Sequence, residues 1–176
     1  HNVFFDEDAT FGKSWGMNDY MERTGKQLII VGVECNHQGN CRLSEYSPVT
    51  FENAELGKIR GRGSTTMNWM VNELKPYIDE HFRTLPDRRN TILAGSSMGG
   101  LMALYGATAY NSVFQRAACL SPSLWVAPGK VMELIAKARI RPDTTIYMDY
   151  GENEMANHVA SQAVIPSAVY LLLTKG

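Results

Sequence analysis

AGSSMGG, residues 94–100, joins a short apolar run at 91–94 to a second apolar segment that begins at Leu101. Within it, residues 95–99 match the pattern G-x-S-x-G, in which a nucleophilic serine lies on a sharp turn between a strand and a helix. Such a turn strains the serine backbone and brings neighbouring chain close, so Cβ atoms on either side of Ser97 would clash. The stretch therefore predicts a strand, an elbow at Ser97 and a helix.

The same glycines would also suit a phosphate-binding turn or a plain tight connection. Phosphate-binding loops carry G-x-x-x-x-G-K-[ST] or G-x-G-x-x-G, and neither pattern occurs in this stretch. The apolar run before the motif and the helix-forming segment after it favour a nucleophile elbow.

Strand-like and helix-like segments alternate along the rest of the chain. The predicted strands span residues 27–33, 91–94, 116–120 and 144–150, and the predicted helices span 64–82, 98–110, 131–138 and a segment from about 156. Residues 36–63 are typical of a long surface loop, and Pro76 is expected to kink its helix. The pattern predicts one α/β domain over residues 1–176, with a mostly parallel sheet and helices on both faces.

Composition excludes several classes of partner. The 176 residues have a formal net charge of −1, with charges of mixed sign, so no basic face for nucleic acid or an anionic membrane is indicated. Three cysteines cannot all pair within one chain, and an odd number favours reduced thiols, although Cys35 and Cys41 are close enough in sequence for a bridge. We expect a cytoplasmic protein with no nucleic-acid or membrane partner, although a leader removed from a secreted protein would leave no trace.

A serine hydroxyl needs a base to take its proton, and the base needs a carboxylate that orients it. In enzymes with this elbow the chain order is Ser, then Asp or Glu, then His, so the acid should follow a later strand. Three carboxylates satisfy that position, namely Asp149, Glu152 and Glu154. Each of them could equally be a solvated loop side chain.

Several segments, taken together, resemble a known family. They are Ile29–Val33, Glu73–Asp79, Gly95–Leu101, Leu120–Trp125 and Gly151–Glu154. In these segments the chain is similar to the esterase-D-like branch of the α/β-hydrolases. That branch includes enterochelin, feruloyl and acetylxylan esterases, S-formylglutathione hydrolases and mycolyltransferases.

The resemblance implies an α/β-hydrolase fold and assigns roles to particular residues. Ser97 would be the nucleophile, and Glu154, which closes the Gly-x-Asn-Glu turn, would be the acid. Backbone N–H groups of Met98 and His1 would hold the oxyanion. The family's opening strands and its catalytic histidine, which lies well beyond the acid, have no counterpart in these residues, so the resemblance implies a chain truncated at both ends.

The histidines of the chain itself are weaker candidates for the base. His158 lies four residues after Glu154, and on a helix both would share a face, but reaching Ser97 as well would need unusual geometry. His81 is expected on the outer side of its helix. His37 lies near Cys35 and Cys41, yet no fourth ligand follows at the spacing of a zinc site.

The residues and the resemblance together predict a serine carboxylic-ester hydrolase that acts on a small-molecule ester through an acyl-enzyme. No cofactor or metal is required by that chemistry. An acyltransferase would use the same nucleophile, with a bound alcohol in place of water. A non-catalytic α/β-hydrolase-like binding module is the alternative from a different class.

Overall fold

The computed structural model describes residues 12–151, Glu154 and residues 159–175. The chain divides into two compact units, residues 1–36 and residues 37–176. In the first unit, helix α1 (Met17–Thr24) follows Gly16 and is ended by Gly25, whose N–H donates to the Met21 carbonyl. Both glycines have left-handed backbones, which suits them to helix boundaries.

The strand predicted at residues 27–33 is wrong. These residues form no strand ladder, and Leu28, Ile29 and Val31 are 54%, 48% and 41% exposed. A strand is stable only when its backbone groups pair with a neighbouring strand, and apolar composition alone does not supply that neighbour.

The surface loop predicted at residues 36–63 is also wrong in part. The segment contains a short helix, α2 (Cys41–Glu45), and an antiparallel hairpin of β1 (Phe51–Asn53) and β2 (Gly57–Ile59). Phe51 pairs with Ile59, and both side chains are buried in the main core. Local chemistry explains the hairpin, because the Asn53 side chain accepts the N–H groups of the next turn.

The helix predicted over 64–82 forms, with an interruption near its proline. It consists of α3 (Gly63–Trp69), a π-helical turn (Met70–Leu74) and α4 (Lys75–His81). Pro76 cannot donate a helix hydrogen bond, and its ring crowds the preceding turn. The wider π-turn directly before it accommodates this defect, so the helix is irregular beside Pro76, where a kink was expected.

Three parallel strands form the sheet that positions the candidate site. They are β3 (Ile92–Ser96), β4 (Arg116–Leu120) and β5 (Thr145–Asp149), in that spatial order. Ser96 lies beside Leu120, and Leu120 lies beside Asp149. Because the strands are parallel, their carboxyl ends meet at one edge, where ligands bind in α/β folds. The three strands predicted after residue 90 are confirmed within two residues at each end.

Helix α5 (Met98–Ala109) begins directly after Ser97 and lies inside the protein. Nine of its 12 residues are buried, and the helix carries apolar residues on nearly all of its faces. Leu101 and Leu104 pack in the main core with Ala117 and Cys119 of β4. The elbow is therefore anchored by a helix that cannot shift without disturbing the core.

Two further helices complete the second unit, α6 (Pro128–Lys137) and α7 (Val159–Leu173), the latter with Pro166 inside it. Each contributes buried side chains to the same core, including Val131, Ile135 and Ala168. Within the described ranges, every helix is too short or too polar to cross a lipid bilayer.

The Arg88 side chain links several segments at the edge of the sheet opposite the elbow. The Arg88 guanidinium donates to both Asp143 carboxylate oxygens at 2.9 and 2.8 Å, to the Thr144 hydroxyl at 2.8 Å and to the Asn111 carbonyl at 2.5 Å. The Arg88 side chain is only 11% exposed. It joins the turn before β3, the end of α5 and the start of β5.

We expect Arg88→Ala to lower the free energy of unfolding by about 1–3 kcal/mol, because it removes the donor to the carbonyl of the buried Asn111 and the bidentate pair with the exposed Asp143. Arg88→Lys should recover only part of the loss, since a single ammonium cannot reproduce the planar fork. Urea unfolding followed by circular dichroism measures both. Arg139→Ala on the exposed surface is the control, and an equal loss in that variant would contradict the prediction.

Candidate active site

The backbone of Ser97 forms a sharp turn between β3 and α5. Its φ of 57° and ψ of −121° lie in a region that residues other than glycine rarely adopt. Its side chain is exposed, so the hydroxyl faces solvent at the carboxyl edge of the sheet. This is the geometry that the G-x-S-x-G pattern predicts for a nucleophile.

Close backbone approaches explain two glycines near the turn, although they are not the pair expected from the sequence. A Cβ at Gly95 would lie 2.5 Å from the carbonyl carbon of Gly99, and a Cβ at Gly100 would lie 2.9 Å from the Leu120 oxygen. A Cβ at Gly99 would meet nothing within 4 Å. The clash expected on both sides of Ser97 is thus wrong for Gly99 itself, because the tight contact on the helix side falls one residue later.

Hydrogen bonds from β4 and the segment after it hold the turn. The Ser97 N–H donates to the Leu120 carbonyl at 3.0 Å, and the Ser97 carbonyl accepts the N–H of Ser123 at 3.0 Å and of Leu101 at 3.1 Å. The Ser97 and Ser123 hydroxyl oxygens are 3.1 Å apart. Ser123 is buried, so one side of the Ser97 hydroxyl contacts a fixed polar group.

Met98 is the first residue of α5, and its backbone N–H therefore has no acceptor within the helix. The helix N-terminus also carries the positive end of the helix dipole. An oxyanion that forms beside Ser97 would meet this N–H, as the sequence predicts, while the Met98 side chain is buried in the core. His1, the other expected oxyanion donor, lies outside the described residues.

The Glu154 carboxylate folds back onto the end of β4 and the turn after β5. Its Oε1 accepts hydrogen bonds from the Ser121 hydroxyl and from the Gly151 N–H, the latter at 3.2 Å. A Cβ at Gly151 would lie 2.9 Å from both Cγ and Oε1 of Glu154, so glycine leaves room for the carboxylate. Ser97 and Ser121 follow the ends of the adjacent strands β3 and β4, which brings Glu154 to the same sheet edge as Ser97.

The other carboxylates differ from Glu154. Asp149 accepts the Ser121 N–H on Oδ1 at 2.9 Å and the Tyr147 hydroxyl on Oδ2 at 3.0 Å, so both of its oxygens hold local structure. Glu152 lies outside the described residues. Of the three carboxylates that the sequence leaves open, Asp149 and Glu154 can be compared, and among the described residues only Glu154 has an oxygen, Oε2, that accepts no hydrogen bond.

The thiol of Cys119, in strand β4, is unreactive. Burial, with a smaller contribution from the Asp149 carboxylate, raises the pKa of the Cys119 thiol to about 12. The thiol is therefore protonated near neutral pH and is not a competing nucleophile. All three cysteines are free thiols.

Neither described histidine contacts Ser97. His81 is exposed, as predicted, and it stacks on Tyr77 of its own helix while one ring nitrogen lies 2.8 Å from the Tyr77 carbonyl oxygen. His37 is exposed in the segment before α2. His158 lies outside the described residues. Within the part of the chain that the structure describes, no cluster of three or more His, Cys, Asp or Glu side chains is placed to hold a metal ion.

Sequence reasoning missed Ser121 and Ser123 as members of the site. One hydroxyl contacts the carboxylate of Glu154, and the other contacts the hydroxyl of Ser97. The available signal was the position of Ser121-Pro122-Ser123 directly after a parallel strand, at the edge where strand ends gather.

A surface cavity of about 470 Å³ lies at the far end of α5 from Ser97. Its lining comes from residues 105–112 and 134–141 and includes the cations Lys137, Arg139 and Arg141. The cavity is therefore separate from the serine and carboxylate groups described above.

Comparison with known proteins identifies the family. The family model described as "Putative esterase" matches residues 7–168, which is most of the chain. The chain belongs to this esterase family. The esterase resemblance noted in the sequence is thereby confirmed.

The chain is similar to other proteins at low sequence identity. The uncharacterized protein YbbA of Bacillus subtilis (strain 168) is 24% identical over 131 residues, which are 73% of this chain and 50% of that protein. The BES protein from Bacillus cereus has a TM-score of 0.59 and 22% identity, covering 88% of this chain and 59% of that one. An IroE-like serine hydrolase from Shewanella oneidensis has a TM-score of 0.51 and 16% identity, with 75% and 57% covered. The α/β-hydrolase fold is confirmed, and the chain spans between half and three-fifths of the length of these relatives.

Two glycine variants test the packing of the elbow. Gly95→Ala should lower the free energy of unfolding by about 1–3 kcal/mol, because its methyl group forces the backbone of residue 99 to move. Gly99→Ala is the matched control within the same motif and should cost no stability, since its methyl group meets open space. Urea unfolding measures both, and equal losses in the two variants would contradict the structure.

Proposed function

We propose that this esterase-family chain carries the nucleophile and the acid of a serine carboxylic-ester hydrolase that works through an acyl-enzyme. The observation that carries the proposal is the exposed Ser97 hydroxyl on a strained strand-to-helix turn, at the same sheet edge as the Glu154 carboxylate. Strained backbone at an exposed nucleophile is typical of a catalytic serine. Membership of the esterase family supports an ester as the substrate.

In the first half of the proposed reaction, the base removes the Ser97 hydroxyl proton while Oγ attacks the carbonyl carbon of a small-molecule ester. The negative charge that develops on the carbonyl oxygen is stabilised by the Met98 N–H and the N-terminus of α5. Collapse of the tetrahedral intermediate breaks the bond to the alcohol, which leaves with the proton that the base had taken. Ser97 is then acylated.

In the second half, water replaces the alcohol. The base takes one proton from water, the resulting oxygen attacks the acyl carbon, and the bond to Ser97 Oγ breaks. The carboxylic acid is released, and the serine hydroxyl regains its proton from the base. These steps require no metal or cofactor, since the protons pass between the base, the serine and the reactants.

We assign the base to a histidine from outside this sequence. One reason is that neither His37 nor His81, the two described histidines, contacts Ser97. The other concerns His158, which lies only four residues after Glu154, so one short segment would have to bring both side chains to the serine. Strong turnover by the 176-residue chain that is lost in His158→Ala would instead assign the base to His158.

The nucleophile is tested in the longest natural chain that contains these residues. Incubation with a fluorophosphonate should label Ser97, as read by mass spectrometry, and p-nitrophenyl acetate should be hydrolysed. Ser97→Ala should abolish the labelling and lower kcat by about 10⁶-fold, because it removes the oxygen that attacks the ester.

The matched control for this test is Ser167→Ala, which removes an exposed serine hydroxyl on α7. It should leave labelling and turnover unchanged. A protein that is folded but neither labelled nor active would contradict the esterase proposal and favour a non-catalytic binding module.

For the acid, Glu154→Gln should lower kcat by about 10⁴-fold while circular dichroism stays unchanged, because a neutral amide cannot stabilise the imidazolium that forms. Glu133→Gln is the control, since that carboxylate is 59% exposed and pairs with Lys137 on the surface of α6. Wild-type turnover in Glu154→Gln would overturn the assignment of the acid.

A further inference from the structure

Two residues other than glycine have a positive φ in the described part of the chain, and both lie at the candidate active site. Ser97 has a φ of 57° and Ser121 a φ of 44°. A side chain at positive φ is unfavourable, and backbone strain of this kind gathers where function requires it. The elbow explains the first of the two, whereas Ser121 has no role in the reaction described so far.

Hydrogen bonds on the backbone side hold Ser121 in this conformation. Its N–H donates to Asp149 Oδ1 at 2.9 Å, and the other oxygen of Asp149 accepts the Tyr147 hydroxyl at 3.0 Å. Pro122, which follows Ser121, is fully buried. The backbone of Ser121 is thus fixed by a carboxylate from the neighbouring strand and by a rigid residue after it.

The side chain of Ser121 faces the proposed acid. Its hydroxyl donates to Glu154 Oε1, which also accepts the Gly151 N–H. Within the described residues, the second carboxylate oxygen, Oε2, accepts no hydrogen bond. Two donors on one oxygen fix the rotation of the carboxylate and leave Oε2 for a donor from elsewhere.

We propose that Ser121 is a positioning residue that orients the Glu154 carboxylate, so that Oε1 is anchored and Oε2 receives the N–H of the catalytic histidine. This inference rests on the proposed esterase function. Ser121 does not touch the substrate, and its effect on the rate passes entirely through the acid.

A purely structural turn would look different. Glycine adopts a positive φ at no cost, so the backbone at this position would favour glycine over serine. The serine supplies a hydroxyl at the expense of that strain. That hydroxyl is bonded to the carboxylate and not to a backbone group of its own turn. The strain therefore accompanies a side-chain contact that glycine could not make.

Two variants at this position separate the hydroxyl from the backbone. Ser121→Ala removes the hydroxyl and keeps the strain, whereas Ser121→Gly removes both, so Ser121→Gly should be the more stable of the two variants. In the longest natural chain, both should lower kcat for p-nitrophenyl acetate by about 10- to 100-fold with little change in KM, because the acid is misplaced. The Ser167→Ala control should retain the parent rate.

Two readouts distinguish positioning from loss of structure. The acidic limb of the pH profile of kcat/KM should move to lower pH in both Ser121 variants, because a misaligned carboxylate stabilises the imidazolium less and lowers the histidine pKa. In a Glu154→Gln background, Ser121→Ala should change kcat less than about threefold, since the group it acts through is already neutral.

The outcomes separate the two proposals. Suppose that the parent protein hydrolyses the ester. If both Ser121 variants then keep the parent kcat, or if Ser121→Ala causes its full loss in the Glu154→Gln background as well, this inference is overturned and the esterase proposal stands. A folded parent that is neither labelled by fluorophosphonate nor active overturns the esterase proposal and this inference with it.

Discussion

Hydrogen bonds from the neighbouring strand β4 stabilise the strained turn at Ser97, and the rest of the candidate site depends on that turn. A residue other than glycine at such a backbone geometry costs about 1–3 kcal/mol, so the turn cannot persist alone. The Leu120 carbonyl and the Ser123 N–H stabilise it from one side, and the buried helix α5 holds it from the other. The hydroxyl is exposed because the core beneath it leaves the turn no other position.

The parallel order of three short strands gathers the other groups at the same edge. Each strand ends beside the next, so the residues that follow them come together although they are far apart in sequence. Ser121 follows the end of β4, with its backbone N–H bonded to Asp149 and its hydroxyl bonded to Glu154. At the opposite edge, Arg88 links the segments before β3 and β5, so hydrogen bonds between side chains and backbone stabilise both edges of the sheet.

Local patterns predicted the elements that are marked by an apolar run or by glycines in their own residues. The elbow, the helix after it and the strands at 92–96, 116–120 and 145–149 follow from short apolar runs and glycines. The segment 27–33 has the same composition as a buried strand, yet it forms none, because pairing depends on a neighbour that composition does not specify. The hairpin at 51–59 was missed because its alternating pattern spans only three residues on each side.

For the site, the sequence by itself determined the nucleophile candidate and a short set of acids, since the G-x-S-x-G pattern and the chain order are local features. Only the tertiary structure showed which groups the Asp149 and Glu154 carboxylates contact, and only it brought in Ser121 and Ser123. The reason is physical: hydrogen bonds between the ends of adjacent strands join residues 23 to 33 positions apart, and their partners depend on strand order and backbone strain. No local pattern in a single chain encodes those two quantities.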